Sequence, residues 1–153
     1  MSFPTGFSQV PGFLAPIEQE ALLRQIRLLP FVQDRMYGLL LKRRYSQFGL
    51  AYVSAGRKLA AAPPFPDFLI RVVDQARAYT PAEAEFDQCI ITHYPAGAGI
   101  GWHTDASRFG DTILAVSLAG SAKLRLRPNG AAEHTHESLI LPGSLYVLQG
   151  PAR

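Results

Sequence analysis

The last third of the chain constrains the fold most. It is a succession of short apolar runs, each closed by a turn signal. Thr112–Leu118 and Ala122–Arg127 are parted by Ala119-Gly120-Ser121, and Pro128-Asn129-Gly130 follows. Ser138–Leu141 and Ser144–Gln149 are parted by Pro142-Gly143. Runs of this length, too short for helices and bounded by Gly, Pro and Asn, read as β-strands. Their order predicts an antiparallel meander.

Two upstream segments carry helical spacing instead. Pro16 can open a helix, where its missing N–H costs nothing. Ile17, Leu22, Leu23, Ile26 and Leu29 then recur on one face, and Pro30 stops the run. A second helix starts at Pro66-Asp67, buries Phe68, Leu69, Val72, Val73, Ala76 and Tyr79, and closes at Thr80-Pro81. Residues 1–14 are predicted as irregular coil and residues 31–62 as two or three short strands. From Phe86 the pattern turns to strand. The sum is an α+β, mainly β chain: a double-stranded β-helix of the jelly-roll kind, with two covering N-terminal helices. A length of 153 residues fits one domain, 1–153, with the jelly-roll core at about residues 86–153.

Composition narrows the setting. No apolar run reaches the roughly 20 residues that span a bilayer, so no membrane association is expected. The N-terminus lacks the basic and apolar regions of a secretory signal. A single cysteine, Cys89, excludes an internal disulfide framework and points to a reducing, cytoplasmic setting. Cys89 itself lies in an apolar run and reads as a small core residue. The net charge of +3 is modest, but Lys42, Arg43, Arg44, Arg57 and Lys58 cluster among Tyr45, Phe48 and Tyr52. Cations neutralise phosphates and aromatic rings stack on unpaired bases. A solvated strand face is the alternative reading.

The chemistry centres on His103-Thr104-Asp105. On an extended segment these two side chains share one side, because strand side chains alternate. An imidazole and a carboxylate so placed can take two corners of a metal ion. With a distant His they would complete the two-His, one-carboxylate triad of Fe(II) oxygenases. The alternative is a surface turn with Asp105 capping a bend. Thr92 and Tyr94 share a strand face by the same alternation. Trp102 either lines a pocket beside the metal or packs in the core.

The run Thr92-His93-Tyr94-Pro95-Ala96-Gly97, through Ile100 to His103 and Asp105, resembles the signature of the AlkB family of Fe(II)/2-oxoglutarate dioxygenases. The strand Ile113–Leu118 with Ala119-Gly120 resembles the family's following strand. Leu141–Arg153 resembles a later family segment, and Arg43-Arg44-Tyr45-Ser46-Gln47-Phe48-Gly49 a pattern of several homologues. The resemblance runs from about Leu41 to Arg153.

It implies Fe(II) on His103 and Asp105, 2-oxoglutarate on Tyr94, and O2 as the second co-substrate. Thr92 stands where the family has Asn, and one hydroxyl replaces an amide's donors. Residues 31–62 become a substrate lid, with Arg43, Arg44, Tyr45, Trp102 and Ser107 as substrate-binding candidates. Ser107 stands where some homologues carry an acidic, base-reading residue.

The implied function is oxidative demethylation of alkylated bases in DNA or RNA, on a single-stranded or flipped base, by a monomer of one domain. The alternatives are a tRNA- or protein-modifying oxygenase, or a non-catalytic jelly-roll binding module. The family's distal His and its 2-oxoglutarate-binding arginines lie beyond the position of Arg153, so a truncated form is expected. His134 and His136 are the substitute third ligands to be weighed, although a hairpin tip normally points away from such a site.

Overall fold

A computed structural model describes residues 3–53 and 58–153, and the side chains of all of these except Tyr52 and Val53. The chain divides into two compact units. The first comprises residues 1–27, 75–84 and 105–153; the second comprises residues 28–74 and 85–104. The architecture is mostly β with two α-helices. No helix among the described residues is long and apolar enough to cross a membrane.

The first unit is built on strands β1 (Phe7–Val10), β7 (Thr112–Val116), β8 (Ala122–Leu126), β9 (His136–Ile140) and β10 (Leu145–Gln149). The predicted meander is not what forms. Consecutive strands β7 and β8 do not pair, and neither do β9 and β10. Instead β10 pairs with β7, β8 pairs with β9, and all pairing is antiparallel. The result is nested: an inner hairpin, β8–β9, inside an outer pair, β7–β10. The turns at Gly120 and Pro142-Gly143 therefore carry the chain from one sheet to another rather than closing hairpins.

Residues 1–14 also depart from expectation, because β1 adds to the outer edge of β10 in register Phe7↔Leu148 to Val10↔Leu145. The polar Ser8-Gln9 hid this strand from a hydrophobic pattern. Gln9 then ties it to the inner hairpin, donating to the Leu139 carbonyl at 3.3 Å and accepting from Ser138 Oγ at 2.7 Å.

The core of this unit follows from period-2 alternation along β10. Leu145 and Val147 are fully buried with Ala76, and Val10, Phe13, Leu114 and Val116 pack against them. Gly143, at φ +77, lies against Leu14 and Gln19, and a Cβ there would come within 2.6 Å of the Leu14 carbonyl oxygen. Helix α1 (Pro16–Ile26) begins with proline at its first turn, and Glu18 accepts the Ala15 N–H at 2.7 Å. It ends four residues before Pro30. None of its residues is fully buried, so it is a peripheral helix rather than a deep cover.

The second unit holds β2 (Arg35–Met36), β3 (Leu39–Leu40), β4 (Arg44–Val53), β5 (Lys58–Ala61) and β6 (Gln88–His93). Most of α2 (Asp67–Ala76) belongs here, with Phe68 and Leu69 buried. The ten-residue β4 serves two partners. Arg44 to Gly49 pair with β6, and Leu50 to Val53 pair with β5. The exchange falls on Gly49 at φ +73, where a Cβ would sit 2.0 Å from the Asp87 carbonyl oxygen. Only glycine fits a left-handed backbone pressed this closely on its neighbour. The two-residue turn Tyr37-Gly38 joins β2 to β3 with both residues at positive φ, 52° and 81°. That is the turn geometry that matches the twist of a hairpin.

Candidate metal and co-substrate site

His103 and Asp105 do not lie on a strand. They fall in the irregular segment between β6 and a 3-10 turn at Ser107–Phe109, so no strand ladder sets their directions as the sequence pattern assumed. A local contact orients the imidazole instead: His103 Nδ1 lies 2.8 Å from the Gly101 carbonyl oxygen. A carbonyl only accepts, so Nδ1 carries the proton of this contact, which leaves Nε2 as the ring nitrogen able to take a metal. Metal-binding histidines are commonly fixed in this way, through the ring nitrogen that does not bind the metal. The donor chemistry, a tautomer-fixed imidazole and a carboxylate two residues on, fits two positions of an Fe(II) site.

No group of three His, Cys, Asp or Glu side chains able to hold a metal occurs among the described residues. His134 and His136 are engaged elsewhere. His134 Nε2 is 3.9 Å from Glu137, which also takes Arg125 at 2.7 Å and Lys123 at 3.3 Å. His136 Nδ1 contacts Thr135 Oγ1 at 2.7 Å, and its ring stacks near Phe3. The Arg125 hydrogen bond is the main cause that lowers the Glu137 pKa.

Tyr94 follows directly on β6, one residue past its end, and Thr92 lies within that strand opposite Tyr45. Tyr94 is 42% exposed. Burial of the rest of its ring raises its phenol pKa, and the nearby Arg43 cation partly opposes the rise. The hydroxyl therefore stays protonated at neutral pH and can donate to a carboxylate.

The basic and aromatic candidates separate once folded. Arg43 and Lys42 line an open cavity of about 420 Å³ in the second unit, together with Tyr37, Met36, Leu40 and Gly97 to Gly99. Tyr94, Thr92 and His103 are not among the lining residues. Arg44 is turned to its own fold. Its Nε donates to His93 Nδ1 at 3.1 Å, and its guanidinium lies 5.5 Å from the centre of the Phe31 ring.

Tyr45 gives its hydroxyl to Asp34 at 2.9 Å, and burial and that bond raise its pKa. Phe48 is only 7% exposed and cannot meet a base. Arg57 and the Tyr52 side chain lie outside the described residues. Ser107 is exposed at the start of its 3-10 turn, and Trp102 is 49% exposed rather than a core residue.

Sequence reasoning missed Tyr37, which is 98% exposed at the hairpin tip with Leu39 at 74% beside it. A glycine between two apolar pairs, Met36-Tyr37-Gly38-Leu39-Leu40, was the available signal.

A model of the 2OG-Fe(II) oxygenase superfamily matches residues 6–153. The chain belongs to that superfamily. Within it the protein is AlkB-like. It is 30% identical over 146 residues to cattle "Alpha-ketoglutarate-dependent dioxygenase alkB homolog 7, mitochondrial", covering 94% of this chain and 62% of the relative. It is 26% identical over 173 residues to the Arabidopsis thaliana "Alkylated DNA repair protein ALKBH8 homolog", covering 97% of this chain and 48% of the relative. The chain thus spans about half to three-fifths of the curated relatives it matches. The solved structure of OsALKBH1 superposes with a TM-score of 0.78 over 100% of this chain and 83% of that one, at 17% identity. That likeness concerns the fold. For this superfamily member, the family implies Fe(II), 2-oxoglutarate and O2 as reaction partners.

Proposed function

We propose that the protein is an Fe(II)/2-oxoglutarate-dependent dioxygenase that demethylates alkylated bases in nucleic acid. The observation that carries the reading is His103, fixed through Nδ1 on Gly101 and followed two residues later by Asp105, within a chain matched to the superfamily almost end to end. The nested pairing of β7–β10 around β8–β9 supports a double-stranded β-helix as the scaffold.

His103 and Asp105 would hold the metal, and Tyr94 would donate its hydroxyl to the 2-oxoglutarate carboxylate. With Fe(II), 2-oxoglutarate and O2 bound, the chemistry supplied would be hydroxylation of a C–H bond, one oxygen atom of O2 going to the substrate and the other to the succinate formed as 2-oxoglutarate loses CO2. On an N-methyl group the resulting N-hydroxymethyl collapses to formaldehyde and the free base. The nucleic-acid part of the reading rests on the second unit. Lys42 and Arg43 offer phosphate partners, while Tyr37 offers an exposed ring on which a base can stack.

The test is turnover by the full-length protein on an N-methylated oligonucleotide and, in parallel, on an N-methylated peptide, each with Fe(II) and 2-oxoglutarate. Formaldehyde and succinate from the oligonucleotide are expected. Y37A and R43A should weaken oligonucleotide binding several-fold while 2-oxoglutarate turnover without substrate persists. Turnover of the peptide alone would favour the protein-modifying reading. Binding of the oligonucleotide with no succinate formed would favour a non-catalytic module.

A further inference from the structure

The segment just after Asp105 is held from two directions. The Ala106 carbonyl accepts the Phe109 N–H at 3.0 Å, which closes the 3-10 turn Ser107–Phe109. The same carbonyl accepts Arg153 Nη2 at 2.8 Å from 47 positions away. Arg153 has a rigid base. It follows a 3-10 turn at Gly150–Ala152, its own N–H bonds to the Gly150 carbonyl at 3.1 Å, and Ala152 is buried. That turn continues β10, whose Leu145 and Val147 form the unit's core. The other end of the loop is closed by the same strand: Gln149 pairs with Thr112, and its side-chain amide donates to Thr112 Oγ1 at 3.2 Å.

Residues 105–111 therefore form a loop pinned at both ends to β10 and the turn after it. An aspartate has only two side-chain torsions, so its backbone decides where the carboxylate can reach.

We propose that Arg153 is a positioning residue for the Asp105 carboxylate, acting through the Ala106 carbonyl rather than by touching the metal. The inference rests on the reading of His103 and Asp105 as a metal-binding pair. It assigns Arg153 a role that the ligand set alone does not contain. Support of a ligand by a neighbouring residue is typically worth about 10- to 100-fold in metal affinity.

The test uses Co(II) titrated into the full-length protein, followed by its visible absorption. Amide hydrogen exchange at residues 105–109 is read in the same samples without metal. R153Q should raise the Co(II) Kd about 10- to 100-fold, alter the Co(II) band, and speed exchange at Phe109. R153K, which keeps one donor but not the planar fork, should recover part of the affinity. R153M keeps the apolar stem and replaces R153Q if that variant does not fold. Wild-type Co(II) affinity in R153Q or R153M, with faster exchange at Phe109, would show a purely structural contact and overturn the proposal. A wild-type protein that takes up no Co(II) at all would overturn the metal reading and this inference with it.

Discussion

Arg44 and His93 face each other across the antiparallel pair β4–β6, with Arg44 Nε donating to His93 Nδ1 at 3.1 Å. The bond uses His93 Nδ1 as its acceptor, immediately before Tyr94. In the sequence Arg43 and Arg44 are an indivisible basic pair. In the fold they part, one towards the cavity and one onto the sheet.

That separation makes the two arginines distinguishable by mutation. R44A removes an exposed hydrogen bond and a cation–π contact, together worth about 1 kcal/mol. In a chain of this size such a loss lowers Tm by about 2–4 °C. R43A should leave Tm unchanged and weaken ligand binding instead. Thermal denaturation of the two variants side by side checks the assignment; a larger Tm loss in R43A would reverse it.

Gly49 and Gly38 give a second contrast. Both have positive φ, but a Cβ at Gly49 collides with the Asp87 backbone while Gly38 faces open space. G38A should cost about 1 kcal/mol, the strain of a left-handed alanine. G49A should cost about 3 kcal/mol or more, because backbone must shift where β4 changes partners. Urea unfolding of both variants measures the difference. Equal losses would mean that the close approach at Gly49 relaxes freely.

Burial pushes the Cys89 thiol pKa up from 9.0 to about 11. Its thiolate fraction at pH 8 is therefore small, and native protein should react with iodoacetamide far more slowly than urea-unfolded protein. Linkage gives a second readout. The folded state holds the thiol proton more tightly than the unfolded state, so this contribution to stability is intact below about pH 9. It is lost as pH rises towards about 11. A C89A variant should lack that part of the alkaline loss; an identical alkaline profile would contradict the assignment.

Much of the fold was legible because its cues are local. Strands β7 to β10 and both helices fall within a few residues of where apolar spacing, Pro and Gly place them. Pairing was not legible. Gly120 and Pro142-Gly143 mark turns whether the chain closes a hairpin or crosses to another sheet, so nesting could be taken for a meander. Strand β1 was hidden because the adjacent polar pair Ser8-Gln9, between Phe7 and Val10, breaks the period-2 pattern.

At the site, the His103-Thr104-Asp105 spacing was readable, but the support of His103 by Gly101 and of Ala106 by Arg153 was not. Both run through backbone carbonyls, which leave no signature in residue type. Phe48 and Tyr45 look like stacking aromatics in sequence, yet one is buried in β4 and the other is bonded to Asp34. Tyr37 owes its exposure to the hairpin it caps.

The most direct test of the account is Co(II) or Fe(II) stoichiometry of the full-length protein, measured under anaerobic conditions in wild type, H103A and D105A. The account predicts one metal ion per chain in the wild type and loss of that site in both variants, with circular dichroism unchanged. Retention of wild-type stoichiometry and affinity in either variant would contradict it, and the metal would have to be sought on other residues.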